Sequence, residues 1–398
     1  MIAAVLGTAG CERRPDVGAV IVSAAGGANR LSLVPSRRDD MANRLLADSV
    51  AQGLVRFDAA GQIEPGVAER WIVTDEGRTY IFRLREMNWS DGRPVRAADV
   101  VAVLRRRLRA QARNRLSPYL TAIDSIVEMT PQVIQIELSG PRSDLLKLFA
   151  QPEMAIVDSP RRLGSGPMRV IGRLGQITRL RPIPDPTRAA DEQQEPVPED
   201  DVLLVTERTA AGVARFVARK SDLVTGGTFR DWPLVAASGA AAVNIRIDPA
   251  AGLFGLAVVR REGFLATAAN RAAIALAIDR AGLSRSLGEG WRADETLLPA
   301  ALDSATPPAQ APWQAIPAAE RLAIARARVA AWLAAENETP VVRIALPSGP
   351  GATLLWARLA ADLYAIGVRP ERVEPGQDDG PDADLRLIDA AAPYDSAR

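Results

Sequence analysis

The residue type that most often moves protons and binds transition metals is missing, since the 398-residue chain contains no histidine. That excludes imidazole bases and imidazole metal ligands. A single cysteine, Cys11, cannot form an internal disulfide. Without a histidine partner it is not set up as a thiol nucleophile either. Glu195, Glu199, Asp200 and Asp201 lie close together and could be read as an acid–base group. They fall in a stretch rich in Pro, Asp, Glu and Gln, residues 184–201, which reads as an exposed loop where carboxylates are expected to be solvated. Gly164-Ser-Gly-Pro-Met-Arg-Val170 lacks the third glycine and the following lysine of a phosphate loop, and Pro167 removes a backbone donor. A tight turn before a strand is the expectation there, and Ser348-Gly-Pro-Gly351 is a similarly weak match. The residues therefore point to no catalytic group, no metal site and no cofactor.

The elements that would position any site alternate between strand and helix. Val20–Ala24 reads as a strand, and Asp40–Leu54 has helical spacing with Leu45, Leu46, Val50 and Leu54 on one side. Two strands flank the turn Asp75-Glu-Gly-Arg78, which suits a hairpin. A helix is predicted from about Ala97 to Ala112, with Val100, Val101, Leu104 and Leu108 as its apolar stripe. Arg105, Arg106, Arg107 and Arg109 decorate its other faces. No aromatics are interleaved with them and the formal net charge is +1, so a solvated face is expected rather than a nucleic-acid patch. Further on, the pattern predicts a strand at Val133–Leu138 and helices at Ser143–Ala150, from Thr209 (as cap) to about Arg219, at Ala268–Asp279 and at Ala318–Glu336. Thr306–Pro317 reads as a connector. A strand at Val341–Leu346, a helix at Thr353–Ile366 ended by Gly367, and a buried strand at Asp384–Ile388 complete the series. Strand and helix alternation in both halves argues for α/β lobes.

The N-terminus, Met1-Ile-Ala-Ala-Val-Leu-Gly-Thr-Ala-Gly-Cys11, places small residues directly before a cysteine and is similar to a bacterial lipobox. Lipidation at Cys11 is the expectation. No later run is long enough to span a bilayer.

Gly53-Leu-Val-Arg-Phe-Asp58, Ile63-Glu-Pro-Gly-Val-Ala-Glu-Arg-Trp71, the hairpin Asp75–Arg85, Asn88-Trp-Ser-Asp-Gly92 and Pro94-Val-Arg-Ala-Ala-Asp-Val-Val101 follow in an order and spacing that resemble family 5 extracellular solute-binding proteins. Gly164–Val170, Asn270–Arg280 and Leu359–Val368 continue the resemblance, which covers roughly residues 40 to 398. One departure is Arg96, where the family has threonine as helix cap, leaving Ala97 and Ala98 at a weakly capped start.

The resemblance implies an α/β, two-lobed periplasmic-binding-protein-like fold (type II, cluster C) with an extra inserted N-terminal domain. On that pattern residues 1–16 are a signal-like tail, and 17–50 with 164–245 form a discontinuous first lobe. Residues 51–163 are the inserted domain and 246–398 the second lobe, without the return segment that family members carry beyond this point. The implied function is the substrate-binding component of an ABC importer. Such a component captures oligopeptides or a similar solute by hinge closure and delivers it to permease subunits. A degenerate sensor or scaffold of the same fold is the alternative. A periplasmic, monomeric protein of a Gram-negative bacterium is expected, with no enzymatic activity, no nucleic-acid partner and membrane contact only through a lipid anchor. By position, the resemblance places Tyr119, Tyr394, Arg44 and Gln151 beside the ligand.

Overall fold

β-branched residues nucleate the first strand, β1, Val20–Ala25. The structure is a computed structural model that describes residues 18–26, 41–109, 114, 116–158, 163–184, 195–248, 252–288, 291–298, 306–375 and 383–391. Tyr394 and Cys11 lie outside the described residues. The chain forms two units, Met1–Gly226 and Gly227–Arg398.

In the first unit β1 is followed by helix α1, Met41–Val50, and a short hairpin of β2, Val55–Phe57, and β3, Ile63–Pro65. Next come β4, Ala68–Thr74, β5, Thr79–Leu84, helix α2, Ala97–Leu108, β6, Ile123–Thr130, and β7, Val133–Leu138. Short pieces follow: α3, Leu145–Phe149, β8, Val157–Asp158, and β9, Leu163–Gly164. The unit closes with β10, Met168–Leu174, β11, Ile177–Pro182, β12, Val202–Glu207, α4, Thr209–Val217, and β13, Leu223–Thr225.

Two main sheets result. One has the order β10-β11-β12-β1-β13, with β1 parallel to both β12 and β13. Alternation along β1 sends successive side chains to opposite faces. Ala24 packs in a cluster with Ala42, Leu46 and Val50 of α1. On the other face a side-chain carbon at Gly212 of α4 would touch the Ser23 Cβ. One helix therefore covers each face. The other sheet, β4-β5-β7-β6, is antiparallel and packs against α2. Phe82 sits edge-on to Phe149 at 6.1 Å between ring centres, and the Tyr80 hydroxyl donates to the Arg142 carbonyl at 2.6 Å.

The glycines of the 164–166 run answer a steric demand. A Cβ at Gly164 or Gly166 would overlap the backbone of Val50 at the end of α1. The Gly166 N–H donates to the Val50 carbonyl at 2.9 Å, and the Ser165 hydroxyl donates to the Ile156 carbonyl at 2.8 Å. The run is a backbone crossing.

The second unit contains α5, Trp232–Ala237, β14, Gly252–Val258, α6, Ala268–Ala277, α7, Arg280–Leu287, and α8, Ala318–Glu336. It ends with β15, Val341–Ala345, α9, Pro350–Tyr364, β16, Arg369–Val373, and β17, Leu385–Ala391. Its sheet has the order β14-β17-β15-β16. α6, α8 and α9 cover a core that includes Ile274, Val329, Leu355 and Leu359. At one edge β16 presents Arg369, Pro370, Glu371 and Arg372. The single helix expected over 268–279 breaks at Ile278, where Asp279 accepts the Gly282 N–H at 2.9 Å and caps α7. Of β17 only Leu385 is fully buried, and the strand runs three residues beyond its expected end. Among the described residues no helix is long and apolar enough to cross a membrane.

Four expectations need correction. Arg107 is not on a solvated face: it is buried and donates to the Ala155 carbonyl at 3.4 Å, while Arg105 donates to the Ile126 carbonyl at 2.7 Å. The start of α2 is secured because Asp99 accepts the Arg96 N–H at 3.2 Å. Thr209 lies inside α4 and Arg208 holds the cap position without a side-chain bond. Asp201 is not solvated: its residue surface is 0% exposed, although Glu195, Glu199 and Asp200 are exposed as expected. Two residues of β11 spaced two apart, and so on one face of the strand, explain this, since Arg181 Nε donates to Asp201 at 2.7 Å and Arg179 Nε at 2.6 Å.

The Arg181 hydrogen bond, with help from Arg179, holds the Asp201 carboxyl below the usual carboxylate range. A depressed folded-state value means that its stabilisation is present above the unfolded carboxylate pKa and is lost as pH falls through the folded one. Asp201→Asn is expected to lower the melting temperature by a few degrees at neutral pH. The gap from the parent chain should begin to narrow near about pH 4 and close once the pH is below the depressed folded-state value. Melting curves across pH test this, and a gap that persists unchanged into acid would contradict it.

Candidate functional site

The first unit gathers charge where α1 meets the turn Pro152–Met154. Arg44 and Asp48 are four residues apart on α1 and share a face. Arg44 is half-buried and Glu153 is buried. Burial raises the Asp48 pKa to about 6, with Arg44 opposing the rise and Glu153 adding to it. The outer surface of Asp48 remains exposed, so solvent screens part of what its crowded carboxyl experiences.

Gln151 stands directly before the same turn and is 7% exposed. Its side-chain amide donates to the Lys147 carbonyl at 3.3 Å, and its own carbonyl accepts the Met154 N–H at 2.9 Å. Those bonds close the end of α3 and join it to the turn.

Tyr119 ends the turn Ser117–Tyr119 and is 40% exposed. Asn114 builds that turn: its side-chain oxygen accepts the Leu116 N–H at 2.9 Å, and its carbonyl accepts the Ser117 hydroxyl at 2.8 Å. The Asn114 amide also reaches the Met154 sulfur at 3.5 Å and the Arg107 carbonyl at 3.4 Å. The structure thus links the turn carrying Tyr119 to the turn that follows Gln151, and α1, which carries Arg44 and Asp48, lies beside that turn. Asp48, Glu153 and Asn114 were missed in the sequence reading. The four-residue spacing of Arg44 and Asp48 was a readable signal, whereas the approach of Glu153 depends on tertiary contact. Among the described residues no group of three or more acidic or cysteine side chains could hold a metal ion.

The second unit offers an aromatic patch. Phe229 meets Phe254 edge-on at 4.9 Å, and Phe254 lies 6.2 Å from Trp291. Asp389 on β17 pairs in register with Phe254, and burial raises its pKa against the pull of Arg230.

Residues 62–369 match the family described as bacterial extracellular solute-binding proteins, family 5 middle. A "probable deoxycholate-binding periplasmic protein" of Escherichia coli is 34% identical over 90 residues, 22% of this chain and 17% of the relative. The periplasmic oligopeptide-binding protein of Haemophilus influenzae is 37% identical over 81 residues, 20% of this chain and 15% of the relative. Each match therefore spans less than a fifth of the relative's length. The crystal structure of the Haemophilus influenzae oligopeptide-binding protein in complex with the peptide RPPGFSPFR aligns with a TM-score of 0.76 at 16% identity, covering 95% of this chain and 81% of that one. At that identity the likeness establishes the shared α/β fold.

A carboxyl with a raised pKa destabilises the folded state once the unfolded state ionises. The penalty for Asp48 is absent below about pH 4, grows as pH rises, and is complete above about pH 6. Discounted for its exposed edge, the penalty is on the order of 1 kcal/mol. Asp48→Asn should therefore be more stable than the parent chain at pH 7 and equal to it at pH 4. Urea denaturation at the two pH values checks this, and an Asn variant that is less stable at pH 7 would show that the charge is favourable.

Proposed function

Because the chain belongs to the family 5 bacterial extracellular solute-binding proteins, with residues 62–369 inside the family pattern, we propose that it is the substrate-binding component of an ABC importer. Its ligand is an oligopeptide or a similar small solute, delivered to permease subunits, and it turns over no substrate. The continuous family match over most of the chain carries this reading. The five-stranded sheet takes strands from residues 20–25 and from 168–225, and the four-stranded sheet lies within 68–138. Both support a first lobe made of residues 17–50 and 164–245 around an inserted domain, 51–163. The second unit takes in residues 227–245 as well.

In the first unit, a cation at Arg44 and a titratable carboxyl at Asp48 suit the opposite charges of a zwitterionic solute. The exposed Tyr119 ring offers an apolar face with a hydroxyl for polar main-chain groups. Tyr394 is proposed as a second aromatic contact. Gln151 serves as a positioning residue, since its amide closes the α3 end. Periplasmic location, a monomeric state and lipid attachment at Cys11 complete the proposal.

Calorimetry with RPPGFSPFR as probe tests the binding reading. The parent chain should bind, and Tyr119→Ala should weaken binding roughly ten- to a hundredfold, while the exposed-loop change Glu199→Ala leaves it unaltered. Equal affinity in the parent and a folded Tyr119→Ala chain would remove Tyr119 from the site. No binding of this or any other oligopeptide would sink the peptide assignment. For the anchor, mass spectrometry of the protein from its native membrane should show acylated Cys11, and an unmodified thiol in a membrane-free fraction would rule it out.

A further inference from the structure

The second unit holds a partly open cavity of about 380 Å³ between the β14–β17 face, helices α6, α7 and α9, and the segment 291–297. Interior voids larger than a water molecule are few in close-packed proteins, and small-molecule sites begin at roughly 300 Å³. The volume is therefore of ligand size. Its walls are apolar, with Leu256, Ile274, Leu355 and Leu385 among them.

One cationic donor lines this cavity with capacity left over. Arg280 is half-buried, and its Nη1 donates to the carbonyls of Ala275 at 2.9 Å and Ile278 at 3.2 Å. No hydrogen bond engages its other guanidinium nitrogens among the described residues. No carboxylate is hydrogen-bonded to it: the nearby Glu295 bonds Arg321 through Oε1 at 2.6 Å, and its Oε2 is buried without a partner. Burial correspondingly pushes the Arg280 pKa down, against the pull of Glu295. Trp291 contributes an aromatic wall, its indole nitrogen being buried away from the open space. The other charged groups of the lining are engaged or outnumbered. Arg271 donates to the Leu265 and Ala266 carbonyls, each at 2.8 Å, Asp294 accepts from Thr296 at 2.8 Å, and Arg292 adds positive charge at the rim. The charged residues of the lining are three arginines, Arg271, Arg280 and Arg292, against one aspartate, Asp294, so the cavity favours an anionic group where Arg280 has donors to spare.

We propose that this cavity is a binding site for an amphipathic carboxylate, with its apolar body against the leucines and its carboxylate on Arg280. The site lies wholly in the second unit and shares no residue with those assigned above to solute capture.

Calorimetry on the full chain with dodecanoate, and with dodecanol as an uncharged probe of equal length, tests the assignment. Dodecanoate should bind more tightly than dodecanol. Arg280→Gln should weaken dodecanoate roughly ten- to a hundredfold and leave dodecanol unchanged. Trp291→Phe should remove the tryptophan fluorescence change that accompanies binding. Ala275→Phe, which adds a ring at the cavity wall, should exclude both probes while circular dichroism stays native. If that variant does not fold, the comparison of Arg280→Gln with Arg280→Lys still decides the matter. Equal affinity for the two probes, or dodecanoate binding indifferent to Arg280→Gln, would overturn the proposal. So would a chain that binds neither probe because its own residues or a polypeptide partner fill the cavity. RPPGFSPFR binding measured on the same Arg280→Gln variant should be unaffected, which separates this site from solute capture.

Discussion

The crossing of residues 164–166 over the end of α1 is the contact on which the first unit depends. Two backbones touch there with no side chain between them, and Gly166 N–H closes the contact on the Val50 carbonyl at 2.9 Å. From this crossing the neighbours are tied in turn. The Gln52 amide donates to the Ser165 carbonyl at 2.7 Å, and the Ile156 N–H donates to the Gln52 carbonyl at 2.8 Å. Residues 151–156 are thereby held beside α1, which is why Glu153 comes close enough to perturb Asp48. An alanine at either glycine would have to move the helix end and, with it, the charged cluster.

A second theme is the use of arginine in a chain without histidine. Guanidinium groups present a planar fork of donors and stay charged at any physiological pH. Here several of them brace the fold by reaching main-chain carbonyls: Arg105 to Ile126, Arg107 to Ala155 and Arg326 to Ala365. Others neutralise acids that the fold has covered, as Arg179 and Arg181 do for Asp201 and Arg215 does for Glu207. Two arginines of α2, Arg105 and Arg107, thus reach the main chain of their own unit, while Arg109 beyond its end stays exposed as expected.

Much of this was legible from local pattern. The hairpin around Asp75–Arg78, the helix Ala318–Glu336 and the strand at 341–345 all emerged where periodicity and turn residues agree. Local pattern failed where a distant partner decides. Asp201 looks like one more acid in a polar loop, and only the register that sets β11 against β12 brings two arginines onto it. Arg107 sits among charged neighbours, and the Ala155 carbonyl that receives it is 48 residues away. The break between α6 and α7 left a local sign, since an aspartate three residues before a glycine can cap, but the apolar stripe ran through it. For the candidate site, Arg44 and Tyr119 were reached through family resemblance, while Asp48, Glu153 and Asn114 needed the folded chain.

The edge strand β16 carries a further consequence. Unpaired strand edges invite a second chain to add on. On β16 the proline at 370 has no N–H to offer, and Arg369 and Arg372 flank it. Two copies meeting along this edge would leave carbonyls facing a nitrogen that cannot donate and would bring guanidinium groups against one another. Among the described residues β16 pairs only with β15, and the composition of this border itself disfavours polymerisation along it.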